Sequence, residues 1–523
     1  MSATPVPASE DPSLLPTQRR LGLGVVVGVL CGAVSVAFAQ LVAGIIDPEA
    51  SPIVAVGETA IDATPEWLKS FAITTFGAND KAALLVGIGI VLTLIAALLG
   101  IAALRRPQIG YLGLATIALI GVAAAVTRPT ARPIDALPSL VGAIAGGIIL
   151  WASLHVVEPL PANPPAAPTG IDRRRFLLVG AAGAIAAVAA GGIGRLFAQR
   201  FEANASRAAV RLPSPAAGPP GPPPAGLDVR GLSSFTTPND SFYRVDTALL
   251  VPAVKAEDWQ LRVHGMVDRE LTLTFHELMA RPLIERDITL TCVSNPVGGP
   301  YVGNARWLGA PLADVLIEAG VHPSADQLVS RSVDGFTVGT PTGVVMDGRD
   351  AMLAIAMNGE PLPLEHGFPV RMIVPGLYGY VSATKWVVDL ELTTFGAFDA
   401  YWVQRGWSQQ APIKTESRID TPRSNATVKA GTVSVAGVAW AQHVGIDAVE
   451  LRVDGEDWMP AELSVLDTID TWRQWLVRWD ATPGEHRLEV RATDRSNAVQ
   501  TAEHMHPFPD GATGYHAITV QVA

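Results

Sequence analysis

Only two of the 523 residues are cysteines, and their surroundings differ sharply. Cys292 lies in LTCVSNPVGG (290–299), between an apolar strand-like run and a Gly/Pro turn, whereas Cys31 lies in an apolar run near the N-terminus. A thiol in the first setting has three chemistries open to it. It can be an inert small hydrophobe, a nucleophile, or a soft polarizable ligand that anchors a metal. Two cysteines so differently placed do not make a disulfide framework. No CxxC, CxxCH or HExxH motif is present, so zinc ribbons, c-type haem and zincin chemistry have no local support. The formal charge of −11 gives no reason to expect a nucleic-acid partner, which requires clustered Lys and Arg. Trp440, Trp458, Trp472, Trp475 and Trp479 crowd the last part of the chain. Packing is the plain account of them, because aromatic rings bury the most area per residue, and a glycan-binding surface is the other.

The elements that must position Cys292 come in two kinds. Mean hydropathy is +0.30 and 17% of residues are charged, and the apolar residues crowd into the first part of the chain. A hydrocarbon core needs about 20 mainly apolar residues per helix. Runs at 21–46, 82–104, 109–127, 137–157 and 176–194 meet that need. Arg19 and Arg20, Arg105 and Arg106, and Arg173, Arg174 and Arg175 fall on one side if the chain starts in the cytoplasm and crosses five times. Arg128 and Arg132 fall on the other. This predicts a multi-pass membrane protein whose chain is extracytoplasmic after about residue 195. DRRRFLLVGAAGA resembles a twin-arginine export signal set inside the chain, and positive-inside anchoring alone is the simpler account. RLPSPAAGPPGPPPAG (211–226) favours polyproline II and reads as a stiff spacer.

Beyond the spacer, β-type runs such as WQLRVHG (259–265) and DITLTCV (287–293) alternate with helical stretches such as LTFHELMA (273–280) and APLADVLIEAG (310–320). That mixture predicts an α+β domain. The remainder, including GTVSVAGVAWA, AVELRVDG, WRQWLVRWD and HRLEVRATD, is nearly all strand-like and predicts an all-β sandwich of immunoglobulin type, without the Cys…Trp…Cys signature. The expected organisation is a membrane region of transmembrane α-helices at 1–200, a Pro-rich linker at 201–230, an α+β domain at 231–410 and a β-sandwich at 411–523.

Five blocks, in order, carry a family resemblance: TPNDSFYRVD (237–246), LTCVSNPVGG (290–299), ARWLGAPLADVL (305–316), SVDGFT (332–337) and PLPLEHGFPVRMIVPGLYGYVSATKW (361–386). From about residue 235 onward the chain resembles the sulfite oxidase family of molybdenum-cofactor enzymes, in which a molybdopterin-binding domain precedes an immunoglobulin-like dimerisation domain. The membrane region lies outside the resemblance. The resemblance implies a molybdenum and molybdopterin cofactor, with the Cys292 thiolate as the metal ligand. It implies cofactor contacts at Asn239, Phe242, Tyr243, Ser332, His366, Arg371, Ser382, Ala383, Thr384 and Lys385. A guanidinium, an ammonium and backbone N–H groups suit the cofactor's phosphate, and polar side chains suit its ring edges. Arg244, Arg306 and Tyr378 join Cys292 as the expected catalytic group, with Tyr301 and Tyr380 as further hydrogen-bonding candidates. The implied reaction is a two-electron oxo transfer on a small sulfur-containing substrate. Electrons would pass to a separate partner, a cytochrome or a membrane electron carrier, and the C-terminal domain would support a homodimer. Twin-arginine export suits an enzyme that loads a large cofactor before it crosses the membrane.

The chain also departs from the family pattern. Pro296 follows Asn295 where an arginine is usual, Val381 stands where the segment before the lysine has an arginine, and Asp246 stands where the family has a histidine. An oxyanion with two charges needs a cationic pocket. A neutral oxo-acceptor therefore competes with sulfite: a sulfoxide, reduced in the manner of the periplasmic methionine sulfoxide reductases of this fold. A reading from another class is a cofactor-free, membrane-tethered immunoglobulin-like binding protein. The tryptophan cluster supports it, but it leaves Cys292 and the HGFPVR…SATKW block unexplained.

Overall fold

The computed structural model describes residues 17–65, 68, 75, 80–157, 173–198, 203–216, 221 and 226–523. The expected proline spacer lies outside the described residues at 217–220 and 222–225. The chain divides into a helical unit, Met1–Glu202 with Thr247–Leu250, and a second unit, Ala203–Asp246 with Val251–Ala523.

The helical unit contains α1 (Thr17–Ile46), α2 (Pro52–Ala63), α3 (Asp80–Ala103), α4 (Pro107–Val126), α5 (Leu137–Val157) and α6 (Arg173–Ala198). All but α2 are long and apolar enough to cross a membrane. The hydropathy reading did not anticipate α2, because its 12 residues fall short of a span. Helix α1 packs against α3, α5 and α6. Small residues make this approach close. Gly24, Gly28 and Gly32 recur every fourth position, so they share a face. A Cβ on Gly28 would meet the Ala96 carbonyl, and one on Gly100 would meet the backbone of Gly24 and Gly28. Gly44 meets Gly194 of α6 in the same way.

Two arginines of this unit make ion pairs within it. Arg128 pairs with Glu49 at 2.5 Å and Glu58 at 3.2 Å, and Arg132 pairs with Asp47 and Asp135, each at 3.3 Å. The two arginines that stand apart from the other clusters are therefore held by carboxylates within the unit.

The second unit begins with α7 (Asn204–Ala209) and then builds two sheets, one mixed through the parallel pair β1–β10 and one antiparallel throughout. One has the order β2-β1-β10-β5-β6, from β1 (Gln260–Gly265), β2 (Leu271–Thr274), β5 (Gln327–Ser332), β6 (Thr337–Pro341) and β10 (Val387–Thr393). The other has the order β3-β4-β7-β8, from β3 (Ile284–Thr291), β4 (Val302–Pro311), β7 (Met352–Met357) and β8 (Glu360–Pro361), with β9 (Arg371–Ile373) paired to β7. Strand β7, MLAIAM, is buried along its whole length, as its unbroken apolar run requires. Helices α8 (Phe275–Met279) and α9 (Leu312–Ala319) fall on the two predicted helical stretches, and a short α10 (Thr342–Val345) follows β6. Thr274 and Glu277 form a reciprocal capping box that starts α8, and Gly320 in the left-handed region ends α9.

Beyond residue 411 two sheets stack as a sandwich. Their orders are β11-β13-β17-β16 and β12-β19-β18-β14-β15. The first uses β11 (Glu416–Thr421), β13 (Gly431–Trp440), β16 (Glu462–Leu463) and β17 (Arg473–Ala481). The second uses β12 (Thr427–Val428), β14 (Ile446–Val453), β15 (Met459–Pro460), β18 (Gly484–Asp494) and β19 (His516–Val522). Trp475 and Trp479 fill the sandwich core, and Trp440 and Trp472 pack with Phe235 and Val302 against the α+β domain. The guanidinium groups of Arg452 and Arg491 lie 4.6 and 4.2 Å from the Trp458 ring centroid. Packing and cation–π contact thus account for the tryptophan cluster.

Backbone contact between α1 and α3 leaves no room for a side chain at Gly100. Gly100→Val should cost about 2 kcal/mol by overpacking and lower the thermal midpoint of the detergent-solubilised protein.

Candidate active site

Cys292 stands at the point where the chain leaves β3. The last five residues of that strand are buried, which anchors the cysteine's backbone in the core. The following loop is closed by its own hydrogen bonds. The Cys292 N–H donates to the Tyr301 carbonyl at 3.0 Å, the Asn295 N–H to the Cys292 carbonyl at 3.0 Å, and the Tyr301 N–H to the Asn295 side-chain oxygen at 2.8 Å. Gly298 turns the loop with φ +72°. The Cys292 sulfur is half-buried and 2.9 Å from the Ser294 hydroxyl. Burial raises the thiol's pKa, while Ser294 and the Lys385 charge oppose that rise. Alone, this sulfur is a poor nucleophile, but a bound metal cation deprotonates a coordinating thiol outright.

Polar groups from separate blocks converge on this sulfur. Phe242 is buried and sets its edge against Trp307 and His366, with centroids 5.9 and 5.6 Å apart, and Tyr243 stacks on Phe242 at 5.2 Å. Burial and the neighbouring Cys292 raise the Tyr243 pKa, while Arg371 lowers it, so the phenol stays protonated. The His366 Nε2–H donates to the Asn239 carbonyl at 3.0 Å. Burial, reinforced by Arg371, pushes the His366 pKa down to about 4, so the imidazole is neutral and Nδ1 keeps its lone pair.

Arg371 is 6% exposed. Its Nη1 donates to the His366 carbonyl at 3.2 Å and its guanidinium carbon lies 5.1 Å from the Trp307 centroid, but its Nε has no hydrogen-bond partner. Among the described residues no carboxylate forms a salt bridge with Arg371, and burial pulls its pKa down to about 10. Lys385 Nζ lies 2.5 Å from Asp246 Oδ2 and 3.3 Å from the Glu365 carbonyl. Burial lowers its pKa to about 8 against the pull of Asp246. Trp386, below that ammonium, has φ +51°, an uncommon conformation for a bulky residue, and its Nε1–H donates to the Leu364 carbonyl at 2.8 Å. A buried guanidinium with an unsatisfied N–H, an adjacent ammonium and a half-open thiol are the donor set that an anionic, metal-bearing cofactor needs. The residues present therefore fit a molybdenum–molybdopterin group.

Several expected contacts are used otherwise. Arg306 does not turn inward: it makes a cross-strand ion pair with buried Asp287, Nη2–Oδ2 2.6 Å, opposite it in the β3–β4 register. Arg244 pairs with Asp246 at 2.8 Å, so the aspartate in place of the family's histidine holds both Arg244 and Lys385. The Asn239 side chain donates to the Met357 carbonyl and accepts from Asn358, which leaves its carbonyl as its link to the site. The Ser382 hydroxyl lies 3.0 Å from the Leu377 and Tyr378 carbonyls, and the Thr384 hydroxyl 2.5 Å from that of Ser330, so both stabilise the protein interior. Ala383 presents a half-buried backbone whose N–H is bonded to the Gly379 carbonyl. Ser332 has a buried hydroxyl without a partner at the end of β5. Tyr380 turns away to the Ser408 carbonyl at 2.6 Å, and Tyr301 packs on Tyr243 at 6.4 Å.

Tyr378 is 3% exposed, and its pKa is raised by burial and by Glu416. Glu416 was missed in the sequence, where it reads as an ordinary exposed strand carboxylate. Burial raises its pKa to about 8 from 4.5, against the pull of Lys414. Between those pH values the folded chain holds a proton that the unfolded chain releases, so stability falls as pH rises through that window. Glu416→Gln should be more stable than the parent at pH 8, by about 4 kcal/mol, with the difference closing below pH 4.5. Denaturant titration at several pH values checks this.

Residues 248–402 match the family described as oxidoreductase molybdopterin binding domain, and residues 416–490 match the bacterial Ig domain family. The chain is 31% identical over 317 residues to sulfite oxidase from Gallus gallus, covering 51% of this chain and 68% of that protein. It is 29% identical over 360 residues to mitochondrial sulfite oxidase from Drosophila melanogaster, covering 57% of this chain and 61% of that protein's length. The crystal structure of the sulfane dehydrogenase SoxCD from Paracoccus pantotrophus shares the fold, with a TM-score of 0.50, 23% identity, and coverage of 55% of this chain and 82% of that one. Given the thiol, the cationic cofactor pocket and the two-domain order, the chain belongs to the sulfite oxidase family of molybdopterin-dependent oxidoreductases.

Proposed function

We propose that this protein is a membrane-anchored molybdenum oxidoreductase. Its catalytic unit faces the extracytoplasmic side, and it carries out a two-electron oxo transfer on a small sulfur-containing substrate of low charge. The observation that carries this reading is the buried guanidinium of Arg371, which makes no salt bridge with a carboxylate among the described residues and lies, like Cys292, beside Tyr243. Cys292 holds the metal as a thiolate. Arg371, Lys385 and neutral His366 bind the pterin and its phosphate, and Asp246 fixes the ammonium of Lys385. The molybdenum–molybdopterin group, when bound, supplies the two-electron oxo-transfer chemistry.

The chain's own residues then set which substrate is accepted. Arg244 and Arg306 are spent on Asp246 and Asp287, and Pro296 and Val381 bring no charge. A dianion would meet too little compensating charge, whereas a neutral sulfoxide needs none. These observations favour a sulfoxide of the methionine sulfoxide type over sulfite.

The charge rule supports the sidedness, because Arg19, Arg20, Arg105, Arg106 and the Arg173–Arg175 cluster would share the cytoplasmic side, with export either by a twin-arginine route or by anchoring alone. Electrons are exchanged with a separate cytochrome or membrane carrier, and the C-terminal domain supports a homodimer.

The test is a side-by-side assay of the full chain purified from cells able to make the cofactor. We expect molybdenum in the protein and a kcat/KM for an alkyl sulfoxide at least about tenfold above that for sulfite, with Val381→Arg narrowing the gap, since one charged hydrogen bond is worth about this much. Absence of molybdenum overturns the enzyme reading, and a preference for sulfite overturns the choice of substrate.

A further inference from the structure

The loop that carries Cys292 is held from outside its own domain. Two sequence positions fix its apex. Arg418 of β11 donates from Nη1 to the Gly299 carbonyl at 2.9 Å. The same guanidinium is aimed by Asp420, 2.6 Å from Nε, and by the Ser233 hydroxyl, 3.1 Å from Nη2. His516, the first residue of β19, lies against Gly298, where any side chain would run into the imidazole ring. The ring is itself oriented, because its Nδ1 accepts the Ile419 N–H at 2.9 Å. Glycine is required at 298 both for the left-handed turn and for this contact.

The other side of the cysteine is held in the same way. The Gln442 Nε2–H groups donate to the Thr291 hydroxyl at 2.9 Å and the Thr289 carbonyl at 3.1 Å. The Thr289 N–H donates to the Asp470 carbonyl at 2.9 Å, and the Trp472 N–H to the Thr289 hydroxyl at 2.8 Å. The free edge of β3 is thus completed by groups from the C-terminal domain, up to the residue before Cys292. The loop's internal hydrogen bonds from Cys292 to Asn295 and Tyr301 pass this restraint to the sulfur.

We propose that the immunoglobulin-like domain is part of the ligand scaffold, and that Arg418, His516 and Gln442 are positioning residues that set the direction and exposure of the Cys292 sulfur. Thr291 and Gly299 are the two grip points, one on each side of the ligand. Remodelling at β11, β13–β14 or β19 therefore changes the metal site without touching a cofactor-binding residue. The proposal rests on the reading of Cys292 as the metal ligand.

The test uses the full chain in a Cys31→Ser background, so that Cys292 is the only thiol. In cofactor-free protein, Arg418→Ala should speed alkylation of Cys292 by iodoacetamide about tenfold, the equivalent of losing one charged hydrogen bond, and Arg418→Lys should recover part of the protection. Gln442→Leu should act in the same direction. Arg452→Ala removes an ion pair to Glu489 on the same domain and should leave the rate unchanged. In loaded enzyme, Arg418→Ala should also shift the reduction potential of the metal. Unchanged alkylation in both Arg418→Ala and Gln442→Leu, or equal acceleration by Arg452→Ala, overturns the scaffold role. Faster alkylation with an unmoved potential overturns the ligand role of Cys292 instead.

Discussion

A guanidinium taken out of water without a carboxylate is among the more expensive things a fold can contain, and this fold contains one at Arg371. Its Nε is unsatisfied, its pKa is pulled down, and its nearest comforts are a peptide carbonyl and the face of Trp307. The surrounding architecture answers that cost. Lys385 adds a second cation, and Asp246 restrains that lysine and Arg244 but makes no salt bridge with Arg371. Phe242 and Trp307 wall the pocket, so that an anion entering it meets charge at low dielectric. A cofactor phosphate would supply a counter-charge there, beside the Lys385 ammonium that stands 4.9 Å from the Trp386 ring.

Other arginines of this unit are matched with acids of the chain's own, Arg244 with Asp246 and Arg306 with Asp287. The Arg306–Asp287 pair is a register device of the β3–β4 ladder, with both side chains on one face of neighbouring strands. Glu416, behind Tyr378, is held protonated by burial over much of the neutral range.

Much of this was legible in the residues. Hydropathy located the five long helices, because each leaves an unbroken apolar run of span length. The strand and helix periods located β1, β3, α8 and α9. The family blocks named Cys292, Tyr243, His366, Arg371 and Lys385, which the fold gathers. What the motifs did not show is which hydrogen bonds the polar residues already make within the chain. Arg306, Ser382 and Thr384 look like ligands in a motif, and only the neighbour across the strand or turn shows that their hydrogen bonds are already committed. Helix α2 escaped because a short amphipathic helix leaves no span-length signal. The grip of Arg418 and His516 on the Cys292 loop escaped because the contacts join residues more than a hundred positions apart.

The central claim is that the Cys292 sulfur is a ligand of the metal. X-ray absorption at the molybdenum edge of the full-length protein tests it most directly. The account predicts that Cys292→Ser, still folded and still holding molybdenum through the pterin, loses one sulfur from the metal's coordination shell. An unchanged sulfur count in that variant would contradict it.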